Sequence, residues 1–547
     1  MKLLKTWQSA KMAVFSVVLI PALFVGIAAC GTVHRPGLLS WAVTPDQKIS
    51  SPVNPAPNGE ILKSLEVSVM EFGVKGDGIT DNAKAIMAAI DYVNSRGGGV
   101  VRFPAAKYMS RRFGLFNCHN VTLLLEPGAV LQMIDSQPEE LYQPFIRITD
   151  GSTNCHIIAY NAEIRRNKEL YTSGEHRHVL SLNRCEGCSV KGGKIYGSGG
   201  DGIYLAYPGA EGYPRSILIK EVWLENNRRQ GISVISGTDI KIYNVRVSNT
   251  SGTKPGAAID IEPNEGHYIY SVDILNLESI DNQGAALQIY PRFGAVDIES
   301  RISVSGIKSD GDQHVLFIGG CRDRTKPMKI DIRGLEGSGH RSSGIILREI
   351  GGGTSFNISG RIRSDNKPAI AVGHDTTDEQ LIKGSPEAYV DLTVEGSGYT
   401  IYSYTSSKHL YNMSKNMFFK IRNNGTGRIA NFGNFFAKVD TDVVSYNDKK
   451  RDSILGPWDT MQGTRIVRSI GEVLLTLDDS KYRPGSIVKA AVESDQTLII
   501  KASGSGKFLP FDSDTVQSSW RGSLITLQKL ESNDWSVVEY SGLWDRG

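Results

Sequence analysis

Four short segments between Gly202 and Ile289 repeat one another and decide the fold: Gly202-Ile-Tyr-Leu, Gly231-Ile-Ser-Val, Ala258-Ile-Asp-Ile and Ala286-Leu-Gln-Ile. Their first large apolar residues are 29, 27 and 28 residues apart. A repeat of this length is typical of solenoids, in which each repeat forms one coil. Apolar and polar residues alternate within each segment, which predicts a strand with one buried face. The stretch therefore predicts stacked coils joined by a continuous sheet.

The same pattern extends along most of the chain. Further strands, or rungs, at the same register are Ile146-Arg-Ile, Leu180-Ser-Leu, Leu316-Phe-Ile, Ile345-Ile-Leu, Ile370-Ala-Val, Ile401-Tyr-Ser and Ile429-Ala-Asn. A second apolar row follows them at Val190, Ile219, Ile242, Ile274, Val304, Ile332, Ile358, Leu392 and Ile421. A third row is Ile195, Trp223, Val245, Leu275 and Ile307. Three strands per coil predict an all-β fold, the parallel β-helix.

Composition agrees with an all-β solenoid. Glycine is abundant, with 58 of 547 residues, and a solenoid can use this length in one domain. The formal net charge of +3 is small for this size, and gives no support for a nucleic-acid-binding or acidic-membrane surface.

Residues 1–30 are typical of an export signal. Lys2, Lys5 and Lys11 precede or begin an apolar run that ends near Ile27, and small residues follow. Cys30, directly after two alanines, resembles the acylated cysteine of bacterial lipoproteins, so we expect lipidation there and a location in the cell envelope, preferably the outer membrane. A plain signal peptide with secretion, or an uncleaved anchor, is the alternative. Residues 31–60 are rich in Pro, Ser, Asn and Gly and are expected to form a flexible linker.

The remaining cysteines are odd in number, so they do not predict a disulfide framework: Cys118, Cys155, Cys185, Cys188 and Cys321. Cys185 and Cys188, with His176 and His178 before them, allow a zinc site. Buried thiols stacked inside the coils are the favoured interpretation.

The segment after the linker predicts an end cap, which a solenoid needs for solubility. Asp81 is expected to cap a short helix whose apolar face is Ile86, Ala89, Ile90 and Val93. The stretches Phe72-Gly-Val-Lys-Gly-Asp-Gly-Ile-Thr-Asp-Asn-Ala-Lys-Ala-Ile, Gly98-Gly-Val-Val-Arg-Phe-Pro, Asn120-Val-Thr-Leu and Pro127-Gly-Ala resemble the N-terminal cap of the pectate lyase superfamily. That group includes proteins related to glycoside hydrolase family 28, epimerase-like proteins and tailspikes. The resemblance implies a right-handed parallel β-helix over residues 61–450 and a carbohydrate substrate, but no single reaction.

From about residue 455 the strand rhythm changes. Four of the seven tryptophans lie in this part: Trp458, Trp520, Trp535 and Trp544. We expect residues 455–547 to form a small β-sandwich-like module, resembling tailspike and sugar-binding modules. Exposed tryptophans would stack on sugars, whereas buried ones would fill a small core.

The rungs also predict which side chains point outward. The residue between the two apolar positions of each rung faces out, and stacking aligns these residues in a ladder: Arg147, Ser181, Tyr204, Ser233, Asp260, Gln288 and Phe317. Glu262 and Tyr290 lie two residues further along and share that face. Such a ladder forms a long shallow surface suited to a polymer.

Asp260 and Glu262 are the leading catalytic candidates. At positions i and i+2 of a strand they face the same way, about 6.5–7 Å apart along the backbone. An inverting glycosidase places its acid and base roughly 6.5–9.5 Å apart, with water between them. The pair therefore predicts an inverting glycoside hydrolase, with a solvated acidic pair as the alternative.

Substrate-binding residues are expected around this pair: Tyr204, Arg228, Arg229, Gln288, Tyr290, Arg292, His178 and Asp201. Arginines bind carboxylate or sulfate groups in a bidentate manner, or they neutralise the two acids. The polygalacturonase motifs Asn-Thr-Asp, Asp-Asp, Gly-His-Gly and Arg-Ile-Lys do not occur on consecutive rungs, and Asp201 in Gly-Gly-Asp-Gly only partly matches the second. The Asp-Pro-His motif of mannuronan epimerases is absent. The sugar is therefore not assigned, although an acidic polysaccharide is favoured.

Two other functions stay open. A lyase or epimerase would abstract a proton from a uronate, with Arg229, Arg292, Tyr204, Tyr290 or His267 as base or carboxylate ligand, and calcium would then be held by Asp260 and Glu262. A non-catalytic surface protein that only binds polysaccharide needs no acid pair. For hydrolysis itself no cofactor is expected. Trimers occur in this superfamily, so a homotrimer is a further expectation.

Overall fold

The computed structural model describes residues 65–135, 144–207, 212–321, 323–373, 384–403, 413–414, 416–424, 429–430, 438–446, 453–455, 464–469, 473–478, 482, 484–492, 497–519, 523–541 and 544–546. The predicted export signal, the lipidation site Cys30 and the linker 31–60 lie outside this set. Within it, no helix is long and apolar enough to cross a membrane.

The predicted rungs form one parallel sheet, here called the front sheet. Its twelve strands in the described part of the chain are Phe113–Phe116, Ile146–Thr149, Leu180–Leu182, Ile203–Leu205, Ile232–Val234, Ile259–Ile261, Ala285–Ile289, His314–Cys321, Ile345–Ile350, Ile370–Gly373, Ile401–Ser403 and Ile429–Ala430. Each strand pairs in parallel with the strands one coil before and after it. The ladder is aligned in the predicted register, from Arg147 and Ser181 to Gln288 and Phe317. The parallel β-helix is confirmed.

Two further sheets complete the described coils. The larger contains Glu66–Ser68, Asp77–Asp81, Gly99–Phe103, Lys107–Ser110, Val121–Leu125, Val130–Met133, Ser152–Thr153, His156–Ile158, Glu163–Arg165, Cys185–Glu186, Ser189–Lys191, Lys194–Tyr196, Arg215–Lys220, Trp223–Glu225, Thr238–Ser248, Ser271–Ile280, Ser300–Asp310, Met328–Ser338, Thr354–Arg363, Glu387–Glu395, Met417–Asn423, Lys438–Tyr446, Thr464–Ser469, Ile487–Val492, Phe508–Leu509, Leu524–Lys529 and Trp535–Ser541. The smaller contains Ser453–Leu455, Val473–Asp478, Leu498–Ser503, Thr515–Ser518 and Asp545–Arg546.

The core is a column of apolar side chains stacked coil on coil. Ile203, Ile232, Ile259 and Leu287, which open the four defining rungs, have no exposed surface. Burying a side chain of this kind stabilises the fold by about 1.5–3 kcal/mol, so the repeat itself supplies most of the cohesion.

The third apolar row was predicted wrongly in part. Trp223 and Leu275 point outward, and Leu224 and Leu277 fill the interior instead. Between Leu275 and Leu277 the backbone turns a corner at Asn276, which adopts a left-handed conformation with φ 54°. A left-handed residue interrupts the two-residue alternation of a strand, so counting by twos fails there.

The second apolar row pairs in the predicted register as far as Ile358, but the next predicted member of the row does not pair with Ile358. Ile358 pairs with Val390, and the predicted member Leu392 pairs with Gly360. Both Val390 and Leu392 are buried, because the row passes through a strand that packs both residues inward. Sequence spacing alone does not distinguish two interior residues on one strand.

The capping helix runs over Ala83–Asn94. Its apolar face is confirmed, since Ile86, Ala89, Ile90 and Val93 are all buried. The N-cap is Asn82 and not Asp81. The Asp81 carboxylate still accepts a hydrogen bond from the Ala83 N–H at 3.1 Å, so it satisfies one free N–H of the first turn from one position earlier. Two short 3₁₀ helices occur at Val69–Phe72 and Lys168–Leu170.

The five described cysteines are free and buried, which confirms the interpretation as interior thiols. Cys155 donates to the Cys118 carbonyl at 3.3 Å, one coil earlier. Cys185 and Cys188 belong to the same apolar core.

The C-terminal part has a second apolar core that includes Phe508 and Leu527. Trp535 and Trp544 are buried in it, so these two fill a core and do not present faces to sugars; Trp458 and Trp520 lie outside the described residues. Parallel pairing continues from Lys438–Tyr446 through Thr464–Ser469 to Ile487–Val492. It therefore crosses residue 455, and the module boundary there stays a prediction.

Candidate active site

The candidate site lies where four consecutive coils present polar residues on the outer side of the front sheet. His178, Asp201 and Arg229 each stand two or three residues before a front-sheet strand, and Asp260 and Glu262 lie on and directly after the fourth. Strands of adjacent coils are about 4.8 Å apart, so equivalent positions of neighbouring coils come into contact. The structure thus brings together five of the predicted site residues, with Tyr204 beside them.

Asp260 lies at the centre and is completely buried. Gln230, also fully buried, donates from Nε2 to Asp260 Oδ2 at 2.7 Å. Gln230 Oε1 in turn accepts the Ala257 N–H at 2.7 Å, so the amide is held at both ends. Burial, and then the negative charge of Glu262, raise the pKa of Asp260 well above its usual value. Both effects favour the protonated form of this carboxyl.

Glu262 is the exposed member of the pair, with 22% of its side chain accessible. A side-chain hydrogen bond with Glu262 is a further cause of the raised Asp260 pKa. Glu262 is thus the member of the pair that reaches the surface, and Asp260 is the member whose protonated form is favoured.

The predicted separation of the two acids came from the backbone spacing along the strand. Their assignment as the acid and base of an inverting enzyme stays a prediction.

Arg229 is the only guanidinium in the described part of the site that contacts three carboxylates at once. Its Nε lies 3.4 Å from Glu175 Oε2, its Nη1 lies 3.4 Å from Asp201 Oδ2, and its Nη2 lies 3.6 Å from Glu262 Oε2. Burial opposes its charge, but the surrounding carboxylates, first that of Asp201, raise the pKa of Arg229. Two roles were predicted for Arg229: binding a carboxylate or sulfate group, and neutralising the acids. Its contacts match the second role.

Asp201 is a second buried acid. The Ser233 hydroxyl donates to its Oδ2 at 2.9 Å. The Asp201 N–H donates to His178 Nδ1 at 3.1 Å. Burial raises the pKa of Asp201 to about 6, although Arg229 and Ser233 act in the opposite direction. Burial, with the nearby charges of His176 and Arg229, lowers the pKa of His178, so its ring is neutral. That ring stacks on Tyr204, with centroids 4.2 Å apart and planes 4° apart.

Asp201 makes a measurable contribution to the pH dependence of stability. Its pKa is about 6 in the folded chain and about 3.9 when unfolded. Between these two pH values Asp201 is protonated in the folded chain and ionised in the unfolded chain. The contribution of Asp201 to the free energy of unfolding is therefore fully present below about pH 4 and is lost as the pH rises through 6. We expect wild-type stability relative to Asp201→Asn to fall by about 1.4 kcal/mol per pH unit in this window. Urea unfolding at half-unit pH steps measures this difference; two parallel curves would contradict the assignment.

Gln230 holds Asp260 in place through its two hydrogen bonds. Gln230→Leu leaves a buried carboxyl and a buried N–H without these partners, so we expect a loss of about 2–3 kcal/mol in the free energy of unfolding. Urea unfolding measures it. The control is Gln313→Leu, at an exposed glutamine, for which we expect a change within about 0.5 kcal/mol. Equal effects of the two variants would show that the Gln230 amide does not position Asp260.

The other predicted binding residues lie in two places. Arg228 Nη1 donates to the Tyr171 carbonyl at 2.7 Å, and its Nη2 donates to the Thr172 carbonyl. Its role in substrate binding stays a prediction. Gln288 follows Asp260 in register, one coil later. Tyr290 and Arg292 lie beside it, and Arg292 Nη1 donates to the Tyr290 hydroxyl at 3.3 Å.

The ladder is less open than predicted. Ser181, Ser233 and Asp260 are buried although they face outward from the sheet. Residues of the preceding segments contribute to this burial, since Gln230 hydrogen bonds to Asp260 and Asp201 accepts a hydrogen bond from Ser233.

Sequence reasoning missed Glu175 and Gln230. Glu175 is 47% exposed and stands on the segment before the Leu180 strand, across Arg229 from Glu262. The available signal was positional and applies to Gln230, which precedes its rung by two residues, as His178 and Asp201 precede theirs. Glu175 stands five residues before its rung and has no such signal.

Among the described residues, no group of three or more His, Cys, Asp or Glu is arranged to hold a metal ion. Asp260, one of the two predicted calcium ligands, is fully buried, and its raised pKa works against the ionised form that a hard cation prefers. Calcium binding stays a prediction.

Comparisons with known proteins point to the same architecture. No protein-family model matches the chain. A 44-residue stretch, 8% of this chain and 5% of the relative, is 50% identical to Alginate lyase 7 of Azotobacter vinelandii. Over 163 residues, 29% of this chain and 26% of the relative, it is 29% identical to the Mannuronan C5-epimerase AlgE4 of the same organism. The chain thus spans well under a third of the length of these relatives.

A solved structure covers much more of the chain. The A-module of the Azotobacter vinelandii Mannuronan C-5 epimerase AlgE6 superposes with a TM-score of 0.50 and 15% identity, over 69% of this chain and 97% of that module. Identity at this level shows the fold alone. The chain therefore has the parallel β-helix fold that its repeat predicted.

Proposed function

We propose that this chain is an exported enzyme that hydrolyses glycosidic bonds of a polysaccharide. The observation that carries the proposal is the fully buried Asp260 beside the partly exposed Glu262, where burial and the charge of Glu262 raise the pKa of Asp260 well above its usual value. A carboxylic acid that keeps its proton at neutral pH is the group that a glycosidase needs to protonate a leaving sugar. A protein that only binds polysaccharide has no use for such a group.

In the proposed reaction Glu262 donates a proton to the glycosidic oxygen, and Asp260 resupplies it. The bond between the anomeric carbon and that oxygen breaks, and water forms the new bond at the anomeric carbon. Glu175 takes the proton that this water loses. Arg229 contacts Glu175 through Nε and Glu262 through Nη2, so one guanidinium holds the proposed base and the proposed acid in the same site.

A uronate lyase or epimerase is the second candidate, and one contact favours it. Tyr204 stacks on the neutral His178 beside Asp201, so a phenol and an imidazole stand together as candidates to abstract and return a proton. Two of the relatives bear the names of an alginate lyase and a mannuronan epimerase. Against it, Arg229 is occupied by protein carboxylates and is not positioned to neutralise a uronate.

The test is incubation of the purified full-length chain with neutral, uronate and sulfated polysaccharides. New reducing ends, ultraviolet absorbance of unsaturated products and proton NMR of the polymer are followed together. Reducing ends without absorbance are expected. Both signals rising together would establish a lyase, and a changed NMR spectrum without cleavage would establish an epimerase. Lipidation of Cys30, location in the cell envelope and a homotrimer remain proposals from the sequence.

A further inference from the structure

The connection that enters the third strand of the front sheet is longer than the connections after it. It contains fourteen residues, 166–179, whereas the equivalent connections of the next two coils, 197–202 and 226–231, contain six residues each. The additional residues make contacts with the coils that follow. Residues 167–177 are here called the strap, and the strap carries Glu175, the proposed base.

Contacts with three successive coils hold the strap. In the next coil, a Cβ on Gly200 would lie 2.2 Å from the Glu175 carbonyl oxygen, so the strap lies directly on a glycine. Three coils after the strap, the Thr253 hydroxyl donates to the Gly174 carbonyl at 3.3 Å. The backbone on both sides of the Glu175 side chain is therefore fixed to the solenoid.

The beginning of the strap is fixed by a buried ammonium group. Lys168 Nζ donates to Asn226 Oδ1 at 2.9 Å and to Ser251 Oγ at 3.2 Å, two and three coils further along. Both acceptors are neutral, so this lysine joins three coils without a carboxylate partner among its hydrogen bonds.

Arg228 holds the centre of the strap. This residue lies two coils after the strap, and its Nη1 and Nη2 donate to the successive carbonyls of Tyr171 and Thr172. Hydrogen bonds from a charged donor are roughly twice as strong as those between neutral groups. Because the guanidinium is planar and rigid, two such bonds fix both the position and the orientation of the strap backbone.

The strap determines where the Glu175 carboxylate stands. The Glu175 side chain is 47% exposed, so packing around it does not fix its position. Its carboxylate contacts Arg229 Nε at 3.4 Å, and the Arg229 N–H donates to the Gly200 carbonyl at 2.9 Å. Arg229 thus orients the carboxylate, while its neighbour Arg228 holds the backbone that carries it.

We propose that Arg228 is a positioning residue for the proposed base. By holding the carbonyls of Tyr171 and Thr172, it keeps Glu175 across Arg229 from Glu262. This inference rests on the proposed function, and it gives Arg228 a role other than substrate binding. A misplacement of about 1 Å costs on the order of 10²-fold in rate, so the effect of Arg228 falls on kcat and not on KM.

Steady-state kinetics of full-length variants on the polysaccharide that the wild type hydrolyses tests the proposal. Arg228→Gln is expected to lower kcat about 10- to 100-fold and to change KM by less than about twofold. Arg228→Lys keeps the charge but offers one ammonium group for two carbonyls, so it should recover part of kcat. Gly200→Ala displaces the strap without changing any charge, and should also lower kcat.

Formate separates a displaced base from general damage to the fold. This small carboxylate diffuses into the site and takes the proton of the attacking water in place of the base. Formate should therefore restore part of the activity of Arg228→Gln and of Glu175→Ala, but not that of Glu262→Gln, which lacks the acid.

The matched control is Arg341→Gln. Arg341 also donates from both Nη atoms to two backbone carbonyls, those of Gly311 and Asn282, but it lies outside the strap. We expect its substitution to leave kcat unchanged. A glutamate-specific protease, which cleaves after the exposed Glu169 and Glu175, should cut the strap faster in Arg228→Gln than in the wild type or in the control.

A raised KM with unchanged kcat would assign Arg228 to substrate binding and overturn the proposal. Equal losses of kcat in Arg228→Gln and Arg341→Gln, with no recovery in formate, would reduce the clamp to a structural role and also overturn it. Unchanged proteolysis of the strap in Arg228→Gln would refute the clamp whether or not the chain is active. Faster proteolysis in that variant, together with a wild type that cleaves no polysaccharide, would refute the proposed hydrolysis and leave the clamp standing.

Discussion

Replacing Glu262 with glutamine is expected to lower kcat by about 10²- to 10⁴-fold while the affinity for polysaccharide stays nearly constant. Glutamine has almost the same shape and keeps a hydrogen-bonding contact with Asp260, but it cannot pass a proton to a glycosidic oxygen. The loss therefore falls on the chemical step and not on binding. Initial rates of reducing-end formation give kcat, and affinity electrophoresis on the same polymer gives binding.

Glu265→Gln is the matched control for this substitution. Glu265 is exposed and lies three residues after Glu262 on the same coil. The same substitution is made at both positions, so Glu265→Gln should leave kcat unchanged. Asp260→Asn is expected to resemble Glu262→Gln, because Asp260 resupplies the proton in the proposed reaction. Full activity in both Asp260→Asn and Glu262→Gln would place the chemistry elsewhere, whereas loss of binding in Glu262→Gln would assign the residue to substrate recognition.

The fold and the register could be predicted from the sequence because both follow from a constant period. Each coil repeats one strand with apolar residues at fixed positions, and stacking in register buries all of them at once. A slip of one residue would expose Ile232 or Ile259, so the alignment of Ser233 with Asp260 follows from the pattern alone. The same logic failed at the corner before Leu277, where a left-handed asparagine breaks the alternation.

The contacts of the site could not be predicted in the same way. Strand alternation placed Asp260 and Glu262 on one face, but it gave no means to know that Gln230 covers Asp260 or that the two carboxyls touch. Gln230 belongs to a segment that precedes a strand, and these segments have no period. Glu175 and Arg229 are separated by 54 positions along the chain and meet only because their coils stack. Their partnership depends on side-chain conformation and local charge.

Removing Arg229 is expected to have the largest effect on stability of any change in the site. Its side chain is only 13% exposed and contacts the carboxylates of Asp201, Glu175 and Glu262. Arg229→Gln leaves these charges without their common partner, and breaking a buried ion pair in this way costs about 3–5 kcal/mol. Urea unfolding at pH 7.5, followed by circular dichroism, measures the loss. The exposed Arg333→Gln should shift the free energy of unfolding by no more than about 0.5 kcal/mol.

The deficit of Arg229→Gln should also depend on pH in a defined direction. Without the guanidinium the pKa of Asp201, already raised by burial to about 6, rises further in the folded chain. A carboxyl whose pKa is higher in the folded chain stabilises the fold at pH values below its pKa in the unfolded chain, and this stabilisation is lost as the pH increases. The free energy of unfolding of the variant should therefore be lowest, relative to wild type, near neutral pH and should approach that of wild type below about pH 4. Adding Asp201→Asn removes one of the uncompensated charges and should restore part of the lost stability at pH 7.5. A deficit that is independent of pH and insensitive to Asp201→Asn would mean that Arg229 stabilises the coil by packing alone.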